Sequence, residues 1–596
     1  MIIMEYLTAL NSQQKKIMKN GSGVVVIKAG PGTGKTKTLT SRITYLLIEK
    51  NIQPENILTL TFTKRAATEM KDRLKKILKD TKIGLPTIST FHSFAYDLLQ
   101  QFGPVLKIIS EHQQKEIIKK ITGHNVPVRK FYLLLTQYKN GLKTDLNQET
   151  RGLVEQYNLE LQKNNLVDFD DLIVKLFKIL NDDLTFLEQL QNRYHYILVD
   201  EFQDTNDLQY QILKLIIGNQ NNFFIIGDPN QSIYGFRGAN PKIFNQIKKD
   251  FPESKEIFLT TNYRSRKQIV NLSNKIFNIN LQSSLDSDGE AKLIKTLNEY
   301  SEAGWINRFI NNKIGGSDLI AANESEKSIS FSDFAIIFRT HRQAKYLAQK
   351  LDESGLPYQM VGQWSIYQES KIEFICLILR YFNDSTEDNF QEIVDSSFIQ
   401  RNGRLMIEEL KQKIDSIPLQ PTISFSTLVE NIQQIFFSKE VEKDPNFKYF
   451  KGSILQFTKY ADGLKKFCDY WEKLKNSDYF DFLGDKITLL TMHSAKGLEF
   501  KYVFIAGFEE GLIPYKNKKQ GELDEELRLF YVALTRAKAG LYLLEAETRN
   551  RNKTTPSSFK KIILGDNLIE EQDEALEKIL KKKAKIKLKK SQMSMF

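Results

Sequence analysis

The sequence predicts an α/β protein with parallel sheets, arranged as two cores that each carry a mainly helical inserted subdomain. Three observations predict it. Apolar, strand-like runs alternate with helical patterns across residues 23–240. A second alternation of the same kind begins near Phe258. Each pattern is interrupted by a long stretch with few strand signals, at residues 97–166 and 376–484.

Taken in order, Val24–Ile27 is the first strand, and the segment from Thr38 to Leu47 reads as a helix. Ile57–Phe62, Tyr196–Val199 and Phe223–Ile226 are further candidate strands of the first core, each ending just before a polar cluster. In open α/β sheets ligands bind at the carboxyl ends of strands, so these clusters are where chemistry is expected. Phe334–Phe338, Ile487–Leu490, Tyr502–Ile505 and Leu541–Leu544 are the strands of the second core. The expected boundaries are 1–96 with 167–255 for the first core and 97–166 for its insertion. They are 256–375 with 485–565 for the second core and 376–484 for its insertion. From 566 to 596 the chain is charged, then basic, and is expected to be disordered.

Composition narrows the class. The chain has 596 residues, 41% of them hydrophobic, enough for several buried cores. Two cysteines, Cys376 and Cys468, exclude a disulfide framework, a four-cysteine zinc site and a four-cysteine iron–sulfur cluster, and predict a reduced intracellular setting. No apolar stretch approaches a membrane span, and Met1 to Leu10 lacks the basic flank and apolar core of a signal peptide. The 85 Lys and Arg against 73 Asp and Glu give a net charge of +12, which favours a polyanionic partner such as nucleic acid. Part of that excess is local, since residues 578–590 hold eight lysines in thirteen positions.

The chemistry starts at Ala29-Gly30-Pro31-Gly32-Thr33-Gly34-Lys35-Thr36, between the first strand and its helix. Strand, glycine-rich loop, Gly-Lys-Thr and helix form a phosphate-binding P-loop. Its glycines let backbone N–H groups turn toward an anion, and the helix N-terminus adds partial positive charge. Lys35 is positioned for the β/γ-phosphates and the Thr36 hydroxyl for Mg²⁺. Ala29 replaces the first glycine of the strict pattern. By itself the motif does not separate kinases, GTPases, ATPases and motors.

A strand ending in Asp200-Glu201 supplies the second half of such a site, on what the pattern suggests is a neighbouring strand. Asp200 can hold Mg²⁺ and Glu201 can orient and deprotonate water. Read alone, the pair is an exposed acidic turn. Past the next strand, Gln231 can touch a γ-phosphate or the water, and Tyr234, Phe236 and Arg237 mix aromatics with a guanidinium. That mixture suits base stacking with phosphate contact, although aromatics more often pack a core.

The ordered set resembles the UvrD/Rep/PcrA family of superfamily 1A DNA helicases. Leu10-Asn11-Ser12-Gln13-Gln14 resembles the adenine-reading Q motif, Thr61–Met70 motif Ia, Thr90-Phe91-His92-Ser93 motif Ib, and Asp168–Leu172 the segment that re-enters the first core. Residues 199–206 and 227–239 resemble motifs II and III, Thr261–Ser265 motif IV, Thr491–Phe500 motif V and Glu526–Ala537 motif VI. The likeness runs in family order from residue 10 to about 545.

The resemblance implies two RecA-like P-loop cores, ATP with Mg²⁺, and a monomeric enzyme moving 3′→5′ on single-stranded DNA and at its junctions with duplex. Gln14 would bond adenine, Tyr263 stack on it and Glu499 approach the ribose. Arg264 and Arg536 would reach the γ-phosphate. Phe62, Thr63, His92, Tyr234, Phe236, Arg237, Arg339 and His493 would line the DNA track. Outside the family, His92 and His493 read as core or capping histidines and the arginines as surface ion pairs.

Four departures stand out. Phe236 stands where the family usually has Trp, Lys64 where Asn is frequent and His341 where another Asn is common, while residues 363–374 follow the family loosely. The insertions, 70 and 109 residues long, are compact for the family, which makes ATP hydrolysis a firmer expectation than strong unwinding. With the length of chain that follows motif VI, a helicase–nuclease subunit is not expected. Gln592-Met593-Ser594-Met595-Phe596 resembles the bacterial sliding-clamp-binding peptide, with a glutamine anchor and two apolar residues on a basic tether. Three functions are therefore in view: a repair or replication-restart helicase, a translocase that strips proteins from single strands, and a non-catalytic binding subunit. A cytoplasmic, nucleoid-associated location follows from the first two.

Overall fold

The computed structural model describes residues 10–19, 22–101, 107–109, 111–123, 126–141, 145–218, 222–235, 238–315, 329–361, 370–394, 396, 398–399, 407–418, 424–437, 441–442, 444–455, 457–458, 462–475, 484–515, 520–565, 568–573 and 577. The chain divides into two compact units, Met1–Glu302 with Lys496–Phe596, and Ala303–Ala495.

The first unit is organised by a six-stranded, all-parallel sheet of β1 (Val24–Ala29), β2 (Ile57–Thr61), β3 (Thr87–Thr90), β4 (Tyr196–Val199), β5 (Phe223–Gly227) and β6 (Lys255–Leu259), in the order β3-β2-β4-β5-β1-β6. The near-continuous apolar runs arise because helices cover both faces. Alternate residues serve opposite faces. Val24 and Val26 join Leu58, Val199, Ile225 and helix Phe169–Asp182, whereas Val25 and Ile27 join Leu198, Ile226 and helix Lys35–Ile48.

Two sequence expectations need correction here. The acid-bearing strand β4 does not neighbour β1, because β5 lies between them. Two strand spacings, roughly 10 Å, separate their carboxyl ends, which leaves room for a triphosphate between the loops. The expected core boundary at 255/256 also fails: β6 pairs with β1 from Val25↔Lys255 to Ala29↔Leu259 and belongs to the first sheet. Its exposed, charged start hid it, since an edge strand need not be apolar.

The same unit holds a second parallel set, in which Ala537–Arg549 lies between Phe500–Ala506 and Glu290–Asn298, and Ile569–Gln572 pairs on the far side of Glu290–Asn298. That last strand lies inside the segment expected to be disordered. Ion pairs between Lys292 and Glu571 at 2.8 Å and between Lys295 and Glu570 at 2.7 Å hold it, so its charges are cross-strand partners rather than a solvated tail. Helices Glu111–Thr122, Val128–Lys139 and Gln148–Lys163 form a small cluster around Ile118, Phe131, Leu135 and Tyr157.

In the second unit Ile487–Thr491 lies between Phe334–Phe338 and Tyr358–Met360, all parallel. A helical cluster packs Phe374, Val429, Phe450, Phe467 and Trp471 from helices between Ser370 and Lys475.

Candidate functional site

The P-loop follows β1 directly, and its shape depends on two glycines. Gly32 and Gly34 have φ of 70° and 81°, the left-handed region that side chains disfavour. A Cβ on Gly32 would meet Arg264 Cβ at 2.7 Å, and one on Gly34 would meet Gln14 Nε2 at 2.9 Å. The loop is therefore wedged between the Gln14 and Arg264 segments. Gln14 donates from Nε2 to Thr33 O at 3.1 Å, Asn262 donates from Nδ2 to Pro31 O at 2.8 Å, and Tyr263 N donates to Gly32 O at 2.8 Å. Thr33 donates to Gly30 O at 2.9 Å and Lys35 Nζ to Ala29 O at 3.3 Å. Tyr263 is exposed, its hydroxyl accepting from Asn11.

The acidic loop after β4 is densely connected. Glu201 sits at φ 49°, a strained value for a non-glycine residue that persists only where surroundings over-determine it. Gln203 is one such restraint: Nε2 donates to the Glu201 carboxylate and Oε1 accepts from Asp228 N at 2.9 Å. Gln231 donates to Asp228 Oδ2 at 2.7 Å. Burial pushes Asp200 up to about 7, and the adjacent Glu201 charge pushes the same way. Burial also acts to raise Glu201, but Lys35 and Lys496 outweigh it and hold that carboxyl below its ordinary range. One member of the pair is thus kept ionised while the other carries the cost of proximity.

Cations close the site from residues 264–538. Arg536, only 2% exposed, donates from Nε to Val532 O at 2.8 Å, from Nη1 to Leu498 O at 3.2 Å, and from Nη2 to Gln231 Oε1 at 3.3 Å and Thr535 Oγ1 at 3.0 Å. Burial, then the Arg264 charge, push it down to about 9, which leaves it protonated at neutral pH. Arg264 pairs with Glu499 at 2.7 Å, and Lys538 holds the other Glu499 oxygen at 2.7 Å. Lys496 pairs with Asp204, donates to Gln231 O at 2.9 Å and lies 5.0 Å from the Tyr234 ring centroid. Asp204 is pushed up to about 7 by burial, against the opposing charge of Lys496.

A Mg²⁺ ion fits the donor set. Asp200 and Thr36 offer the carboxylate and hydroxyl oxygens that a hard cation prefers, and a divalent charge would relieve a buried, crowded carboxylate. Among the described residues no group of three or more His, Cys, Asp or Glu is placed to hold a metal ion by itself.

The nucleic-acid candidates fall in separate places. Phe62 stacks on Tyr234 with centroids 4.8 Å apart, and Lys496 joins this pair to the acidic loop. Thr63 caps helix Lys64–Ile77, its hydroxyl accepting from Ala66 N at 3.1 Å. His92 stacks on Phe169 at 4.2 Å, and burial pushes it down to about 4, so it is neutral. In the second unit Arg339 and His493 follow two adjacent parallel strands whose last partners are Phe338 and Thr491. Phe236, Arg237 and Gln592–Phe596 lie outside the described residues.

Sequence reasoning missed Gln203, Asp228, Asn262, Lys496 and Phe169. Phe169 is 51% exposed beside His92, and a large exposed aromatic at a helix start is a signal only structure supplies. Arg528, which donates to Ser232 O at 2.8 Å, was likewise visible only as part of a motif.

The chain is similar to known proteins along most of its length. Residues 10–252 match the sequence model of the UvrD/REP helicase N-terminal domain, and residues 257–476 and 423–548 match the UvrD-like helicase C-terminal domain. The chain is 31% identical, over 97% of its length and 89% of the relative, to ATP-dependent DNA helicase PcrA of Staphylococcus aureus (strain Mu50 / ATCC 700699). It is 32% identical, over 94% of its length and 87% of the relative, to ATP-dependent DNA helicase PcrA of Staphylococcus epidermidis (strain ATCC 12228 / FDA PCI 1200).

Proposed function

Because the chain belongs to the UvrD/Rep helicase family and is an ATP-dependent DNA helicase, we propose that it moves 3′→5′ on single-stranded DNA and opens duplexes at junctions, in repair or replication restart. The observation that carries the ATP-driven part of this reading is the meeting of Gln231 with Arg536 beside the acidic loop, which brings motifs far apart in sequence to one site; polarity and pathway rest on family membership.

In this reading Lys35 and residues 29–36 cradle the triphosphate, and Gln14, Tyr263 and Glu499 bind the nucleoside end. Thr36 and Asp200 would hold Mg²⁺, which when bound would neutralise phosphate charge. Glu201 orients and deprotonates the water, Gln231 contacts the γ-phosphate, and Arg264 and Arg536 stabilise charge developing on it. Lys496 pairs with Asp204 of the acidic loop and lies over Tyr234 of the Phe62–Tyr234 pair, a direct physical route from nucleotide state to DNA grip. Phe62, Tyr234, Phe236 and His92 stack bases without sequence preference, Phe169 extends that surface, and Thr63, Arg237, Arg339 and His493 supply polar contacts.

Strand displacement tests direction and strength together. A duplex with a 3′ single-stranded tail is expected to be unwound, and one with a 5′ tail is not; the reverse preference would refute the assignment. The compact second insertion favours the alternative of a translocase that removes bound proteins. Under that alternative a 3′-tailed substrate is cleared of protein while its duplex stays closed.

We also propose that Gln592–Phe596 docks on a bacterial sliding clamp and that the protein works as a monomer associated with the nucleoid. Deleting those five residues is expected to abolish retention on immobilised clamp. Unchanged retention would remove the clamp from the scheme. Among the described residues no helix is long and apolar enough to cross a membrane.

A further inference from the structure

We propose that Asn140 and Asn206 are positioning residues, whose single side-chain hydrogen bond lets the helical insertion hold the acidic loop in its hydrolytic geometry. This rests on the reading of Asp200 and Glu201 given above. Asn206 ends the loop. Its Oδ1 accepts from Gln209 N at 2.8 Å, capping helix Asp207–Ile217, while Nδ2 donates to Asn140 Oδ1 at 2.7 Å. The cap is already complete through the reciprocal bond in which Asn206 N donates to Gln209 Oε1 at 3.2 Å, so the bond to Asn140 is additional to helix capping. Asn206 also bridges to Ala239, and Thr205 O accepts from Asn240 N at 3.2 Å, so the exit of the Gln231 segment meets it.

On the other side Asn140 ends helix Val128–Lys139 and spends Nδ2 on Thr136 O at 2.8 Å and Asp170 Oδ1 at 3.0 Å. Its neighbour Lys139 makes this burial tolerable. Lys139 Nζ donates to Asp168 Oδ2 at 2.7 Å and Asp171 Oδ1 at 2.6 Å, and Tyr157 and Gln114 donate to the same Asp168 oxygen at 2.8 and 3.2 Å. Asn140, Asp168 and Asn206 are 4%, 1% and 5% exposed. A buried polar network satisfied in this way admits one arrangement. Asn206 is two residues from Asp204 and five from the strained Glu201, so the link restrains the loop where strain must be held.

The test compares Asn140→Ala, Asn206→Ser and the double variant in the full-length chain, reading ATP hydrolysis with single-stranded DNA, ATP-binding stoichiometry and melting temperature. Serine keeps the cap but loses the donor to Asn140. Each single variant is expected to lose about tenfold in kcat per nucleotide-binding molecule, with KM for ATP within about twofold, because misplacement costs rate rather than binding. The double variant is expected to be no slower than either single. Retention of wild-type kcat by Asn206→Ser, or losses that multiply in the double variant, overturns the proposal. So does a fall in melting temperature with kcat unchanged, which marks a purely structural role. If wild-type hydrolysis is not stimulated by DNA, the helicase reading falls instead, and the unstimulated kcat still decides the link.

Discussion

Replacing Arg536 by alanine is expected to lower kcat for DNA-stimulated ATP hydrolysis by roughly 10³-fold or more, within the range associated with arginine fingers. The rate loss corresponds to at least about 4 kcal/mol of transition-state stabilisation. Arg536 is buried, protonated at neutral pH, and in contact with Gln231, so its charge is held beside the acidic loop in a low-dielectric setting. Arg536→Lys is expected to recover little, because an ammonium cannot reproduce the guanidinium bonds to Val532 O, Leu498 O and Gln231 together. Steady-state hydrolysis, read beside binding of a fluorescent ATP analogue, checks this. A folded Arg536→Ala protein with kcat within tenfold of wild type would remove Arg536 from the chemistry. Arg264 is expected to matter less, since Glu499 holds its guanidinium at 2.7 Å and limits its freedom to reach phosphate.

Glu201→Gln is expected to cost roughly 10²–10⁴ in kcat, the range for loss of a positioned general base. The substitution preserves shape and changes charge. Gln203 donates to the Glu201 carboxylate, and Lys35 and Lys496 hold that carboxyl ionised. A glutamine keeps a carbonyl for Gln203 but cannot take a proton from water. Single-stranded DNA affinity is expected to remain within about threefold, since no stacking side chain is altered. Rapid-quench measurement of single-turnover hydrolysis separates the chemical step from product release. An unchanged single-turnover rate would show that another group takes the proton.

Much of this was readable from sequence because the relevant signals are local. The P-loop is contiguous, and its strand and helix flank it directly, so Val24–Ala29 and Lys35–Ile48 lie where the pattern put them. The parallel-sheet class was legible because strands covered on both faces must be apolar throughout. Edge strands were not: Lys255–Leu259 and Ile569–Gln572 carry charge and depend on partners distant in sequence. The Gln231 segment was legible as a polar cluster past a strand end, but Arg264 and Arg536 were picked out only through family resemblance, because nothing in local spacing says that residue 536 will stand 3.3 Å from residue 231.

The sequence by itself determined the α/β class, the P-loop and the residue types able to hold a triphosphate and activate water. Those properties arise from short-range periodicity and from contiguous turns. Tertiary structure alone decided that β5 separates the P-loop strand from the acidic strand, that Asp200 is raised while Glu201 is lowered, and that Asn140 reaches Asn206. The physical reason is common to all three. Strand order, burial and electrostatic shifts depend on which groups meet through space, and a pairwise distance between remote residues has no signature in either residue's neighbours along the chain.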